Sequence, residues 1–405
     1  VCSSDLWRGN GRFTTNLKSR LKSISPPPLL EMISALIAAP SVSSISPQWD
    51  QGNRAVIDLL ASWFEGLGFS VEVLPIEGHS GKFNLIASYG HGPGGLVLAG
   101  HTDTVPCDPH LWQSDPFQLK ERDNRLYGLG TSDMKSFFAL IIEALREIDR
   151  STLQHPLTII ATADEESTMC GAKALLSLQR KLGRHAVIGE PTGLKPIRAH
   201  KGIGMETLRL HGRSGHSSDP SLGASALEGM HTLIGELMQW RDELQQRYRS
   251  PLFDVEVPTL NLGHIHGGDN PNRICGHCEL QIDIRPLPGM SLEALREEMA
   301  ARLHPLFEQS PLQLELECAF DGIPPMETAA TADIVQVTEQ LTGHRAGAVA
   351  FGTEAPFLKQ MGMETLILGP GDIEQAHQPD EFLSLDRIEP TVQLLRQLIS
   401  HYCLH

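Results

Sequence analysis

Short apolar runs alternate with helical patterns through the first half of the chain. Apolar residues recur at helical spacing over residues 29–38, and strand-like runs follow at 69–73, 96–99 and 157–163. Each run has the length of a strand and is much shorter than a membrane-spanning helix. Because strands that alternate with helices usually form parallel sheets, this half predicts an α/β fold around a central, mostly parallel sheet.

The pattern then changes to strand, helix, two strands, helix and strand. The predicted segments are 197–213, 224–247, 259–266, 274–285, 291–309 and 312–319. This order is typical of a small α+β unit with a four-stranded antiparallel sheet and two helices. The α/β pattern then resumes and ends with an amphipathic helix over 388–401. We therefore predict an inserted domain at 196–322, and a larger domain formed by 20–195 and 323–405.

Composition narrows the class of protein. Residues 1–19 have neither an initiator methionine nor the apolar core of a secretory signal, and we interpret them as an N-terminal extension of non-native origin. The formal net charge of −16 opposes binding to nucleic acid or to an anionic membrane, since both need a basic surface. Seven scattered cysteines in 405 residues are too few for a disulfide scaffold, which favours the reducing cytoplasm.

Imidazole and carboxylate groups follow several of the predicted strands and turns. His101 and Asp103 come directly after the apolar run 96–99. Residues two apart on an extended chain point the same way, so Asp103 can hold one ring nitrogen of His101 while the other binds a metal. Further candidates lie in similar contexts downstream: Asp133, Glu165, Glu166, Glu190 and His377.

The candidate set suits two divalent ions. Two imidazoles and three carboxylates can hold two ions such as Zn²⁺ or Co²⁺, whereas a single ion would leave the carboxylates repelling one another. Glu165 and Glu166 are neighbours on extended chain, so their side chains diverge. One of them can bind metal while the other acts as a general base, which is the division that metal-assisted hydrolysis requires.

These motifs resemble those of the M20 metallopeptidase and deacylase family, over most of residues 20 to 405. The resemblance implies a zinc-peptidase-like larger domain and two ions, with His101 and Glu190 on one, Glu166 and His377 on the other, and Asp133 bridging. It also implies that Asp103 lies behind His101, that Glu165 is the base, and that the peptide bond after Asp133 is cis.

The inserted domain carries further positions of the family pattern. Asn272 and Arg285 match lid residues that grip the substrate carboxylate in relatives, a task that suits a planar guanidinium. His216 matches a histidine that reaches the active site of the neighbouring subunit and stabilises the oxyanion. The resemblance therefore implies a homodimer in which the inserted domain is both lid and dimerisation domain. We expect lid closure to bring all three residues to the substrate.

Three segments indicate the substrate. Residues 266–269, 283–289 and 369–381 are similar to family members that hydrolyse the amide of N2-acetyl-L-ornithine to ornithine and acetate in arginine biosynthesis. An acetylated amino acid is thus the expected small-molecule substrate. Two alternatives stay open at this point: another family member, such as a succinyl-diaminopimelate desuccinylase, aminoacylase or dipeptidase, or a non-catalytic dimeric binding protein.

The loop Gly352-Thr353-Glu354 bears on this choice, because desuccinylases carry a serine and an aspartate near it. We expect the loop to bind substrate. Our hypothesis is that Glu354, or an acid close by, receives the side-chain ammonium of ornithine.

Overall fold

The computed structural model describes residues 25–404, and this part of the chain forms nine α-helices and sixteen strands in three sheets. The helices are α1 (Leu29–Ile37), α2 (Arg54–Gly66), α3 (Ser136–Leu145), α4 (Cys170–Leu176), α5 (Ala226–Arg247), α6 (Leu292–Leu303), α7 (Asp333–Thr342), α8 (Ala355–Gln360) and α9 (Ile388–Cys403). The strands are β1 (Ser70–Pro75), β2 (Phe83–Tyr89), β3 (Leu96–His101), β4 (Lys120–Arg122), β5 (Arg125–Tyr127), β6 (Leu157–Thr162), β7 (His185–Ile188), β8 (Ile197–His200), β9 (Ile203–His211), β10 (Thr259–Gly267), β11 (His277–Arg285), β12 (Gln313–Ile323), β13 (Met326–Glu327), β14 (Gly347–Val349), β15 (Glu364–Ile367) and β16 (Phe382–Ser384). Within residues 25–404, none of the helices combines the length and apolar character needed to cross a membrane. The extension predicted at 1–19 lies outside the described residues.

The large sheet has nine strands in the order β1-β2-β6-β3-β7-β15-β8-β13, with β14 paired to β8. Its centre, β6-β3-β7-β15, is parallel, as predicted, while the strands added at both ends are mainly antiparallel. Every residue of β3, β6 and β7 is buried. Parallel strands covered by helices on both faces are expected to be apolar throughout, which is why these segments are uninterrupted apolar runs.

Alternate residues of the central strands face two separate cores. Leu96 and Leu98 of β3 pack in the core formed with α1, α2, α3 and α9, whereas Val97 and Ala99 face the core formed with α4 and α8. The period of two along a strand explains this division. The fold is therefore three layers, helices on both faces of one sheet, and the strand ends are left free to carry polar groups.

The second sheet is antiparallel, in the order β10-β11-β9-β12. We call it the lid sheet. Leu208 and Leu280 on its inner face pack against Trp240 of α5 and Met299 of α6. The predicted unit of four antiparallel strands and two helices is confirmed. A third, three-stranded sheet joins β16, β5 and β4.

The predicted strand at 197–213 is two strands in different sheets. By sheet membership, β8 belongs with the larger domain, so the chain leaves the large sheet after His200, later than the predicted boundary after residue 195. The chain crosses at Gly202, where an added Cβ would lie 2.7 Å from the Pro286 ring and 2.8 Å from the main-chain oxygen of Ile323. This close crossing leaves no room for a side chain, and nothing in the apolar pattern reveals it.

Candidate active site

The carboxyl ends of the central parallel strands meet at one edge of the large sheet. His101 is the last residue of β3 and is paired with Thr162, the last residue of β6. Glu165 and Glu166 follow β6 after a short turn, and Glu190 follows β7, the other neighbour of β3. Because the carboxyl ends of parallel strands share an edge, residues far apart in sequence come together there.

Asp133 lies between the two histidines. Its Oδ1 is 3.0 Å from Nε2 of His101, and its Oδ2 is 3.7 Å from Nε2 of His377. Nε2 of His101 also lies 3.9 Å from Glu190, and Nε2 of His377 lies 2.9 Å from Glu166. The structure therefore brings the five predicted metal ligands together in the two groups that the sequence analysis expected, with one carboxylate common to both.

The donor set fits divalent cations. Ligand atoms of His101, Glu165 and Glu190 lie within 4.8 Å of one another, as do those of His101, Asp133 and Glu166. We call the four carboxylates at 133, 165, 166 and 190 the acid cluster. One oxygen of Glu190 is buried without a hydrogen-bond partner, which is costly unless a cation satisfies it. Imidazole and carboxylate together are a donor set that divalent transition metals and zinc accept.

The pKa shifts of the side chains in the site also indicate that the site needs positive charge. Burial raises the pKa of Glu165 well above its usual value, and the nearby charge of Glu190 adds to the rise. Burial likewise raises the pKa of Glu166 and of Glu190. The hydrogen bond with Glu166 raises the pKa of His377 to about 9. Retained protons here compensate for negative charge as a cation would.

Asp103 connects His101 to the turn that carries Glu165 and Glu166. Nδ1 of His101 lies 3.0 Å from the main-chain oxygen of Asp103 and 3.6 Å from its carboxylate. The carboxylate accepts hydrogen bonds from the main-chain N–H groups of Glu165 (3.2 Å) and Glu166 (3.1 Å). Burial opposes ionisation of Asp103, but these contacts together lower its pKa. Asp103 therefore does more than the predicted support of His101, because it also fixes the Glu165–Glu166 turn.

A buried lysine also supports this turn, and the sequence analysis missed it. Lys82 is 3% exposed, and its ammonium lies 2.5 Å from Asp164 and 2.7 Å from Asp50. Asp164 directly precedes Glu165 and has a positive φ of 56°, a conformation that a non-glycine residue adopts only when its surroundings impose it. The ion pair joins residues 82 positions apart, so no local pattern announces it.

Glycines allow the segment 369–371 to join two loops of the site. Asp133 lies in the loop between β5 and α3, and the peptide bond after it is cis, as expected. A Cβ on Gly371 would lie 2.4 Å from the main-chain oxygen of Ser132 in the same loop. A Cβ on Gly369 would lie 2.4 Å from the main-chain oxygen of Glu190. The absence of side chains at these two positions therefore permits main chain to pack directly against main chain.

Comparison with known proteins decides the family. The model for peptidase family M20/M25/M40 matches residues 97–401. The chain belongs to this family. It is 54% identical over 377 residues to an acetylornithine deacetylase of Pasteurella multocida and 53% identical over 377 residues to one of Edwardsiella ictaluri; each alignment covers 93% of this chain and 98% of the relative. An M20 family metallo-carboxypeptidase of Sulfolobus solfataricus has the same fold, with a TM-score of 0.72 at 16% identity over 92% of this chain and 99% of that one.

The lid residues of this M20/M25/M40 chain form two separate groups. His216 is exposed in the loop after β9, and the N–H of Ser217 donates to the main-chain oxygen of Asn272 (3.0 Å), so His216 and Asn272 are neighbours. Arg285 ends β11, where its Nε donates to Asp283 (2.8 Å). Asn272 precedes the start of that nine-residue strand, whose ends are roughly 27 Å apart. Within one chain, Arg285 therefore lies far from His216 and Asn272.

The loop Gly352-Thr353-Glu354 lies beside the junction between the large sheet and the lid sheet. A Cβ on Gly352 would lie 3.0 Å from Ile203 and 3.2 Å from Ile323, so this glycine packs where the chain enters and leaves the lid sheet. Thr353 is fully buried, and its hydroxyl accepts the N–H at the start of α8 (3.1 Å). Thr353 therefore supports the loop from within, whereas Gly352 is only half-buried.

Glu354 has a different environment within the same loop. It is 1% exposed, and one carboxylate oxygen has no hydrogen-bond partner. Burial raises its pKa to about 7, and its charge adds to the raised pKa values of Glu165 and Glu190. Of the three loop residues, Glu354 alone therefore bears on the acid cluster.

Proposed function

We propose that this M20/M25/M40 chain hydrolyses the amide bond of N2-acetyl-L-ornithine to acetate and L-ornithine, a step of arginine biosynthesis. The observation that carries the proposal is identity of 50% or more, along at least 93% of this chain, to acetylornithine deacetylases. The chemistry draws independent support from the acid cluster, which lies beside two histidines.

Two divalent cations, Zn²⁺ or Co²⁺, complete the proposed site. His101 and Glu190 would hold one, Glu166 and His377 the other, with Asp133 shared between them. When bound, the cations polarise the acetyl carbonyl and increase the acidity of water.

Glu165 is the proposed general base. It takes a proton from the attacking water as the oxygen adds to the acetyl carbon, and it delivers that proton to the nitrogen as the C–N bond breaks. Asp103 keeps Glu165 in position through the main-chain N–H that it accepts.

We further propose that the working unit is a homodimer. The positions of Asn272 and Arg285 at opposite ends of β11 support this proposal, since one chain cannot present both to the same carboxylate. A second copy would supply His216 and Asn272 to the site where the first supplies Arg285. There Arg285 and Asn272 would bind the substrate carboxylate, while His216 would donate a hydrogen bond to the developing oxyanion.

Glu354, or an acid close by, is the proposed receptor for the ornithine ammonium. Its buried oxygen without a partner supports this role, because an ammonium would satisfy it.

We also propose that the protein works in the reducing cytoplasm. The cysteines of residues 25–404 support it, since all are free: Cys107, Cys170, Cys275, Cys278, Cys318 and Cys403.

The test is a substrate panel with purified protein loaded with Zn²⁺ or Co²⁺. N2-acetyl-L-ornithine, an uncharged acetylated amino acid, N-succinyl-diaminopimelate and a dipeptide are compared by kcat/KM, with chelated protein as the blank. We expect the highest value for N2-acetyl-L-ornithine and none after chelation. A higher value for a succinylated compound or a dipeptide would favour another member of the family. No turnover of any compound would contradict the enzymatic proposal and favour a binding protein.

A further inference from the structure

A buried carboxylate that the proposed reaction does not use lies directly behind Asp133. Glu381 follows His377 by four residues and is 1% exposed. Its side chain accepts hydrogen bonds from the main-chain N–H groups of Gly130 (3.0 Å), Ser132 (2.7 Å) and Asp133 (2.9 Å). Three converging main-chain donors use both of its oxygens and tie the side chain to this loop.

The main chain of Glu381 contacts the same loop. Its carbonyl oxygen accepts the N–H of Gly128 at 3.0 Å and lies 3.5 Å from the hydroxyl of Thr131. The loop from 128 to 133 is thus fastened to residue 381 along its length. Asp133 is the side chain common to both histidine groups, so the position of this loop sets the geometry of both halves of the site.

Only a carboxylate meets the requirements of this position. The two oxygens of Glu381 accept all three N–H groups, because a carboxylate is an acceptor at every lone pair. A glutamine of the same shape would turn an NH₂ group towards at least one of those donors. A buried N–H group left without an acceptor costs its full desolvation, so the loop would be expected to move.

We infer that Glu381 is a positioning residue of the two-cation site. Its carboxylate fixes the main chain that carries Asp133 and ties it to the loop that carries His377, although it contacts neither cation. The inference rests on the two-cation site of the proposed function. It implies that one substitution outside the ligand set weakens cation binding by Asp133, the ligand shared by both cations.

The test compares Glu381→Gln with Asp380→Asn. Asp380 is the neighbouring residue, and its carboxylate accepts the N–H of Gln113 instead of the Asp133 loop, so the control loses the same charge without touching that loop. Cation affinity is measured by competition with a chromophoric chelator, and the cobalt-loaded proteins are compared by visible absorption. We expect Glu381→Gln to bind at least one cation about 10-fold or more weakly, with an altered cobalt spectrum. Asp380→Asn should resemble wild type.

Thermal unfolding of the metal-free proteins separates positioning from a general effect on the fold. We expect the unfolding temperature of metal-free Glu381→Gln to stay within a few degrees of wild type. Wild-type affinity and spectrum in Glu381→Gln would overturn the inference, and so would a large loss of metal-free stability with an unchanged spectrum. If Glu381→Gln does not fold, Glu381→Asp is judged by the same criteria, since it keeps the charge but retracts it by one methylene.

Failure of the inference and failure of the proposed function give different results. If wild-type protein itself binds fewer than two cations, the two-cation function is contradicted. If wild type and both variants bind two cations equally, the function stands and the positioning role of Glu381 is wrong.

Discussion

The acid cluster and the loop pair of His216 and Asn272 are built in opposite ways. In the acid cluster, Asp133 and Glu190 are buried and Glu165 and Glu166 are half-buried. Hydrogen bonds from main-chain N–H groups to Asp103 fix the turn that carries Glu165 and Glu166. His216 and Asn272 are exposed, and the imidazole of His216 forms hydrogen bonds with the nearby Ser218. The acid cluster is therefore preorganised within one chain, whereas the pair of His216 and Asn272 is not. Substitutions in the two regions should therefore impair the protein in distinguishable ways.

The largest effect is expected in the acid cluster. Glu165→Gln removes the proposed base while keeping its shape, and kcat for N2-acetyl-L-ornithine should fall by about 10³-fold with little change in KM. Cation content should be unchanged, because the proposed ligands are intact. Glu121→Gln, an exposed change on β4, is the matched control. A loss of kcat below about 10-fold would contradict the role of Glu165.

His216→Ala tests the exposed region, with an expected loss of about 10²-fold in kcat. Mixing it with Glu165→Gln and allowing subunits to exchange should restore activity. Half of the dimers would be mixed, and each would have one intact site of two, so about one quarter of wild-type activity is expected. His91→Ala, an exposed histidine in a turn of the larger domain, is the control. A mixture no more active than its two components would refute the shared site.

Glu354→Gln separates substrate recognition from chemistry within the buried region. KM for N2-acetyl-L-ornithine should rise by about 10-fold, as expected for loss of one buried charge-assisted contact, with no rise for an uncharged acetylated amino acid. Steady-state kinetics on the two substrates measures this. Equal rises for both would show that Glu354 does not receive the ammonium.

The smallest expected effect is on stability and not on activity. It concerns the junction where the chain passes from the large sheet to the lid sheet. His200 ends β8, where the chain leaves the large sheet, and burial lowers its pKa to about 4. Since the unfolded pKa is about 6.5, the unfolded state binds the proton first, so stability falls as pH drops from about 6.5 to 4. The loss should reach about 2 kcal/mol by pH 5.

Urea unfolding at pH 7 and pH 5 measures this loss. His200→Asn removes the titrating group and should show less pH dependence than wild type, whereas His91→Asn should behave like wild type. Equal pH dependence in wild type and His200→Asn would contradict the assignment.

The sequence predicted the acid cluster because most of its members follow a strand-like run or a glycine turn, and parallel strands align their carboxyl ends. The order of strands and helices likewise predicted the lid sheet. The contacts that hold the cluster were not predictable, since the bonds from Asp103 to the Glu165 turn and from Lys82 to Asp164 join residues distant along the chain. Asn272 and Arg285 are thirteen positions apart, and nearly all of strand β11 lies between them, so this spacing could have revealed that the two residues lie far apart.

Strand β15 comes late in the chain but lies inside the large sheet, between β7 and β8. During synthesis, the edge of β7 therefore stays open until almost the entire polypeptide has emerged from the ribosome. An open strand edge invites pairing with other chains, so products that stop before residue 364 should aggregate or be degraded. Translation to the end of the chain is thus a condition for activity, and incomplete products should be selectively removed.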